Sequence, residues 1–260
     1  VGQVGELTGL KEIEGVLVTE DGATLARDKT SEEVHVFSPA GVKVRALLPS
    51  KTDLENSPDV LSRHGELKVD DLGRTYVNRA SGYVRYSASG QREAVVQTKG
   101  KGGPPPAVWK VGWWWNGRTL MDSTGNTVTE IERLPSEEWM DFFDDTVVVA
   151  PNGEIAILAF DGFPSAEGPV KVGFYGRTGS PKHTAQIQVN GERLWQFAYD
   201  GTILYFARDK DILAVDKQGV CLWRFQLPQR KGAYWQVFSS KGGLAVFDGI
   251  DTVSWYAIPK

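Results

Sequence analysis

A metal site built on imidazole ligands would require histidine side chains at suitable spacings. The chain has three histidines, His35, His64 and His183, and no two of them have the spacing of a metal-binding pair. His35 lies in a strand-like pattern, whereas the other two lie in polar connections. Each is therefore interpreted as a surface or structurally satisfied side chain, and no metal site is expected.

Nucleophilic catalysis would require a Ser, Cys or Thr beside a base, and no such arrangement can be assigned. Cys221 is the only cysteine, so no intramolecular disulfide can form. It lies in the apolar run from Val220 to Trp223, which favours a buried structural thiol over a reactive one. No catalytic residue is therefore predicted.

Carboxylate and amide side chains are the remaining source of acid–base or cation chemistry. The acidic segment 137–145 could supply two carboxyl groups for catalysis, although an acidic connection facing solvent is the favoured interpretation. Because Asn and Asp also stabilise tight turns, a turn role is favoured for the side chains that could coordinate calcium. These are Glu20, Asp70, Asn78, Asn152 and Asp200.

Aromatic residues in the segment 104–115 are the best candidates for binding. The segment contains Pro105, Trp109 and the consecutive Trp113, Trp114 and Trp115. Consecutive strand residues face opposite ways, so at least one of the three indoles is expected to be less buried than its neighbours. Exposed indoles anchor protein partners and stack on sugars, but tryptophan is also an ordinary core residue, and the core interpretation is favoured.

Net charge and hydropathy exclude two classes of partner. The formal charge is −4, which gives no general attraction for nucleic acid. No apolar run approaches the roughly 18 residues of a membrane span, and residues 1–10 lack the pattern of a signal peptide. We therefore expect neither nucleic-acid binding nor membrane insertion.

A repeated pattern of apolar strands and glycine-containing turns predicts the fold. In the first copy Gly22 and Gly41 mark the first and third turns, 19 residues apart, and in the fifth copy Gly201 and Gly219 stand 18 apart. The copies begin roughly 40 to 50 residues apart, which is typical of four-stranded propeller blades. The sequence thus predicts an all-β fold: a single β-propeller domain over 1–260 with about six four-stranded antiparallel blades.

Two copies depart from this pattern. In the third, either one strand is very short or Asn116 and Gly117 form the middle turn. The last copy has three strands before the chain stops. Because an open edge invites aggregation, the N-terminal stretch from Gly5 to Ile13 is expected to supply its outer strand and close the ring.

The repeats resemble those of known propeller families. The fifth copy, with Gly201, Tyr205, Asp209, Gly219 and Trp223, resembles a quinoprotein-like (PQQ-like) repeat. The first two copies resemble NHL-type blades, through segments 16–22 and 67–77. True quinoprotein dehydrogenases have eight blades, a quinone and calcium, and this chain is too short for eight, so no cofactor is expected.

The resemblance specifies a blade but hardly a function. A non-catalytic binding or scaffold module with a protein partner is favoured, and an enzyme is not. One alternative is a metal-dependent hydrolase that resembles the six-bladed lactonases, which hold a cation in the central channel. The other is a glycan-binding module. Similar repeats are common in bacterial envelope proteins, so the sequence favours a periplasmic or extracellular bacterial protein over a cytosolic one.

Overall fold

The protein is all β. Its computed structural model describes residues 2–7, 10, 12–19, 21–30, 33–46, 67–69, 73–79, 82–97, 108–109, 113–116, 119–121, 127–131, 147–159, 169–189, 194–228, 235–240 and 243–258. These residues form six four-stranded antiparallel sheets. No helix long and apolar enough to span a bilayer occurs in this described part.

The strands follow the predicted order. They are β1 (Gly2–Leu7), β2 (Ile13–Val18), β3 (Thr24–Asp28), β4 (Val34–Phe37), β5 (Lys43–Ala46), β6 (Leu67–Val69), β7 (Thr75–Arg79), β8 (Gly82–Tyr86), β9 (Arg92–Gln97), β10 (Val108–Trp109), β11 (Trp113–Asn116), β12 (Thr119–Met121), β13 (Thr127–Glu130), β14 (Val147–Val149), β15 (Ile155–Ala159), β16 (Pro169–Tyr175), β17 (Pro181–Gln188), β18 (Leu194–Tyr199), β19 (Ile203–Arg208), β20 (Asp211–Asp216), β21 (Cys221–Gln226), β22 (Gln236–Ser240), β23 (Gly243–Phe247) and β24 (Val253–Ala257).

Each sheet is one blade. Blades 1 to 5 are β2–β5, β6–β9, β10–β13, β14–β17 and β18–β21, and blade 6 combines β22, β23 and β24 with β1. The first strands contact one another in the order β14, β18, β22, β2 and β6, so blades 4, 5, 6, 1 and 2 are neighbours around an inner wall. In blade 3, β11 ends at Asn116, which pairs with Thr119 at the start of β12, so the middle connection of this blade falls between these two residues.

The hydrophobic core lies between blades. Blade 4 and blade 5 share one cluster, which includes Phe174 and Phe206, and blade 5 and blade 6 share a second. Blades 6 and 1 share a third, and a smaller one joins blade 1 to blade 2. The two faces of a blade are thus covered by its two neighbours, which is how a propeller buries apolar surface that a lone sheet would leave in water.

Close approach between blades also depends on glycine. Gly219, in the last turn of blade 5, has a φ of +86°. A Cβ atom at this position would lie 2.4 Å from the backbone oxygen of Gln186 in blade 4. Any side chain here would both strain the turn and push the two blades apart.

The N-terminal strand closes the ring, as predicted, but its predicted bounds were wrong. Strand β1 pairs antiparallel with β24, from Gly2 opposite Ala257 to Leu7 opposite Val253. The closing strand was expected over 5–13 but ends at Leu7. After Leu7 the chain must leave the outer edge of blade 6 and reach the inner edge of blade 1, where β2 begins at Ile13.

Leu7 tests this closure. It is fully buried in the cluster between blades 6 and 1. Replacement Leu7→Ala should lower the free energy of unfolding by about 2–5 kcal/mol, because it removes apolar contacts and leaves a cavity. Urea denaturation measures the change. The control Val220→Ala, at a position that is 58% exposed, should stay within about 0.5 kcal/mol. Equal losses in both variants would show that β1 does not seal the ring.

Candidate functional site

The tryptophan segment lies on the first two strands of blade 3. Trp109 is in β10 and is directly opposite Trp113 of β11, while Trp115 is opposite Leu120 of β12. The structure therefore brings Trp109 and the three consecutive tryptophans onto adjacent strands. Pro105 lies outside the described residues. A binding role for this segment stays a prediction.

Charged and phenolic side chains gather where blade 4 meets blade 5, and the sequence analysis missed this group. Glu154 follows the first turn of blade 4, and Lys182 is in the outer strand β17. From blade 5 come Tyr199, the last residue of β18, and Lys217, in the turn before β21. We call these four residues the Glu154 cluster.

The geometry of the Glu154 cluster is that of a clamp between blades. One carboxylate oxygen of Glu154 accepts hydrogen bonds from Lys217 Nζ, at 2.6 Å, and from the Tyr199 hydroxyl, at 2.7 Å. The other oxygen accepts one from Lys182 Nζ. The ammonium group of Lys217 also lies 5.6 Å from the centroid of the Tyr199 ring, within cation–π range. A single carboxylate therefore holds groups of two blades together.

Electrostatics keep Glu154 charged and Tyr199 neutral near neutral pH. Burial disfavours the charged form of Glu154, but hydrogen bonds from Lys182, Lys217 and Tyr199 outweigh it and lower the pKa from 4.5 to about 2. Burial and the hydrogen bond to Glu154 raise the pKa of Tyr199 well above its ordinary range. A general acid or base needs a pKa near the working pH. The cluster is therefore built for structure rather than for proton transfer.

His183 belongs to the same joint, so its assignment to a polar connection was wrong. It lies in β17, and its ring stacks on Phe174 with 4.5 Å between centroids. Its Nε2 lies 3.1 Å from the backbone oxygen of Lys217, at hydrogen-bond distance across the two blades. The preceding Gly179 closes the turn early enough for the strand to start at Pro181, which places this histidine inside the sheet. His35 is buried in β4, and His64 lies outside the described residues.

The candidate cation ligands that the structure describes act as turn residues. One oxygen of Asp200 accepts hydrogen bonds from the backbone N–H groups of Thr202 and Ile203, and the other accepts one from the Tyr205 hydroxyl, all at 2.7 Å. Asn152 Oδ1 accepts the backbone N–H of Glu154. These contacts confirm the turn interpretation at both positions.

The remaining candidates do not extend this picture to a cation site. Asn78 lies in β7, and Glu20, Asp70 and the acidic segment 137–145 fall outside the described residues. Within the described part of the chain, no three His, Cys, Asp or Glu side chains are placed to hold a metal ion.

A buried ion pair joins the same two blades at their opposite end. Arg208 donates from Nε to Asp211 Oδ1, at 2.6 Å, and its second terminal nitrogen bonds the other carboxylate oxygen. Its Nη1 donates to the backbone oxygen of Val189 in blade 4, at 2.8 Å. Buried charges are tolerated only when paired and hydrogen-bonded in this way, so this group too is structural.

Cys221 is exposed, which contradicts the prediction of a buried thiol. It begins β21, the outermost strand of blade 5, and this strand alternates between exposed and half-buried positions. Val220, Cys221 and Leu222 are exposed, whereas Trp223 is half-buried and packs against the cluster between blades 5 and 6. Val220 and Leu222 are 58% and 47% exposed, and on blade 1 Val42 and Val44 are 63% and 62% exposed.

No protein-family model matches this sequence, and no curated protein resembles it in sequence. Solved structures resemble it in fold. Virginiamycin B lyase from Staphylococcus aureus is 14% identical, with 98% of each chain covered and a TM-score of 0.56. A gluconolactonase from Xanthomonas campestris is 14% identical, with 97% of this chain and 89% of that chain covered and a TM-score of 0.61.

A chain in the structure of the mitotic checkpoint complex is 10% identical, with 100% of this chain and 95% of that chain covered and a TM-score of 0.60. These neighbours show that the chain has a β-propeller fold. They include lyase and lactonase enzymes as well as a chain of a multiprotein assembly. At such low identity the likeness shows the fold alone.

Replacement Glu154→Gln tests the clamp. Charge-assisted hydrogen bonds are lost, so the free energy of unfolding at neutral pH should fall by about 1–3 kcal/mol. Because the folded pKa of Glu154 is lowered to about 2 from 4.5, its stabilisation is complete above pH 4.5 and is lost as the pH falls toward 2. The difference between wild type and variant should therefore shrink over that interval in urea titrations.

The matched control is Glu12→Gln. Glu12 forms an ion pair with Lys29, and its side chain is 52% exposed. Exposed ion pairs contribute little, so this variant should stay within about 1 kcal/mol of wild type at every pH. Equal behaviour of the two variants would contradict a structural role for the Glu154 carboxylate.

Proposed function

We propose that the chain acts as one non-catalytic β-propeller domain that binds other proteins and serves as a scaffold. The observation that carries this proposal is two pairs of exposed apolar side chains at the beginning of the outer strands β5 and β21. Val42 and Val220 directly precede these strands, Val44 and Leu222 lie within them, and all four are about half exposed or more. Adjacent exposed apolar side chains of this kind are typical of interaction surfaces.

The chemistry of the described polar groups supports the same proposal. Glu154, Tyr199 and Asp200 are all engaged in bonds between or within blades. Arg208 and Asp211 neutralise each other in a buried pair. These contacts make the propeller stiff, which suits a platform that presents fixed surfaces to partners.

The segment 104–115 is the second proposed binding surface. It contains Pro105, Trp109 and Trp113 to Trp115, and tryptophan is the residue type most enriched at the energetic centres of protein interfaces. A glycan would use the same indoles by stacking. The protein partner is preferred because the exposed valines on the outer strands suit a protein surface better than a sugar.

Affinity capture tests the binding proposal. The chain is immobilised through a tag at its C-terminus and incubated with native lysate, and single variants Trp113→Ala, Trp114→Ala and Trp115→Ala are treated alike. We expect at least one protein to be retained by wild type and reduced about tenfold or more by one of these variants, as for interface tryptophans that contribute about 2 kcal/mol.

Folding of the variants is verified first by near-ultraviolet circular dichroism. Any variant that unfolds is replaced by Trp→Phe at the same position. Retention no greater than on resin that carries an unrelated β-propeller would refute the binding proposal. Retention of a glycan, with no protein, would favour the glycan-binding alternative.

Calcium addition discriminates the scaffold from the lactonase-like alternative. An ion present at a hundred times its Kd would raise the free energy of unfolding by about 2.7 kcal/mol. We expect no change in the thermal midpoint with calcium or zinc, and no hydrolysis of a sugar lactone. A metal-dependent rise in the thermal midpoint together with lactone hydrolysis would refute the non-catalytic scaffold and favour the metal-dependent hydrolase.

A further inference from the structure

The repeats provide an internal comparison for the exposed apolar side chains. In each blade compared, the third turn ends in a glycine with positive φ, and the residues one and three positions later are exposed. In blade 1 these are Val42 and Val44, after Gly41. In blade 5 they are Val220 and Leu222, after Gly219.

The same positions are polar in two other blades. After Gly90 in blade 2 they are Gln91 and Glu93. After Gly179 in blade 4 they are Ser180 and Lys182, and all four of these polar side chains are exposed as well. The fold therefore accepts polar residues here. Packing of the propeller does not require the valines of blade 1, which instead keep apolar area in water, and burial against a partner would remove that cost.

Val42 directly precedes strand β5 and Val44 lies within it, so both valines stand at the outer edge of blade 1. Strand β5 pairs with β4 on one side, and no described strand pairs with its other side. All four of its residues are exposed. Arg45 donates from Nη2 to the backbone oxygen of Ala88 in blade 2, at 2.6 Å, which holds the strand against the neighbouring blade. An edge strand that is held in place is a template for a further strand.

Charge on β5 selects what can pair with it. The segment 42–46 alternates apolar Val42 and Val44 with basic Lys43 and Arg45, and it contains no acidic residue, although the chain as a whole has a net charge of −4. A second copy of β5 would bring Lys and Arg against each other, and like charges across a strand pair are destabilising. An incoming strand with acidic residues opposite Lys43 and Arg45 is stabilised.

We propose that the outer edge of β5, with which no described strand pairs, accepts an extended segment of a partner protein, which alternates apolar and acidic residues and becomes a fifth strand of blade 1. This inference rests on the proposed binding function and gives it a surface and a partner chemistry. Main-chain hydrogen bonds provide affinity, while Val42, Val44 and Lys43 provide selectivity.

A labelled peptide tests the site. The probe is a fluorescein-labelled peptide of about seven residues, long enough to span β5, in which Val and Glu alternate. Binding to the full chain is followed by fluorescence anisotropy. The double variant Val42→Thr, Val44→Thr keeps strand propensity and removes apolar contact, and Lys43→Glu reverses one charge. Each should weaken binding about tenfold or more.

Three controls separate the site from general stickiness. The double variant Gln186→Thr, Gln188→Thr, at exposed positions of β17 on blade 4, should bind the peptide within about twofold of wild type, because its effect on the blade 1 edge is negligible over such a separation. A peptide of the same composition with its valines and glutamates in two blocks should bind at least about tenfold more weakly. So should an alternating peptide with N-methylated amides, which cannot pair as a strand.

The outcomes that overturn the proposal are distinct from failure of the binding function. Absence of peptide binding, or equal binding by wild type and both blade 1 variants, refutes the site. A dimer in analytical ultracentrifugation that is lost in Val42→Thr, Val44→Thr refutes it in favour of a second copy. If lysate capture persists unchanged in these variants, the binding function stands and this edge is not its surface.

Discussion

Blades 5, 6 and 1 each depend on both neighbouring blades for the burial of their apolar side chains. The clusters between blades 4 and 5, 5 and 6, and 6 and 1 contain most of the buried aromatic and aliphatic residues of those blades. If two neighbouring blades separated, the apolar side chains packed between them would be exposed to water. The pairing of β1 with β24 is therefore decisive, because it joins the two ends of the chain in one sheet and lets Leu7 complete the cluster between blades 6 and 1.

Polar contacts add rigidity to that hydrophobic arrangement. The Glu154 cluster and the pair of Arg208 with Asp211 join blades 4 and 5 at opposite ends of the same joint. Both use groups that an enzyme could use, and both leave those groups fully engaged. These polar groups bond to one another between the blades. The outer strands, by contrast, carry exposed apolar side chains and edges with which no described strand pairs. The described polar groups at this joint thus serve packing, in keeping with the scaffold role that we propose.

The strand order was predictable because glycines at Gly22, Gly41, Gly201 and Gly219 mark turns that require a positive φ. The exposure of Cys221 was not predictable, because the same apolar sequence could form an inner strand or an outermost strand of a blade. Only the order of strands in the sheet distinguishes the two. The Glu154 cluster was not predictable either, because its two lysines lie 28 and 63 residues further along the chain than Glu154. The bounds of β1 depended on the path between blades 6 and 1, which local patterns do not encode.

Hydrogen exchange of backbone amides tests the closed ring most directly. If β1 is an integral strand of blade 6, the amides of Gly2–Leu7 that bond to β24 should exchange as slowly as those of Val253–Ala257 and respond to denaturant with the same slope, since both open only when the ring opens. Exchange of the β1 amides at the rate of an unstructured peptide, while β24 stays protected, would contradict the account.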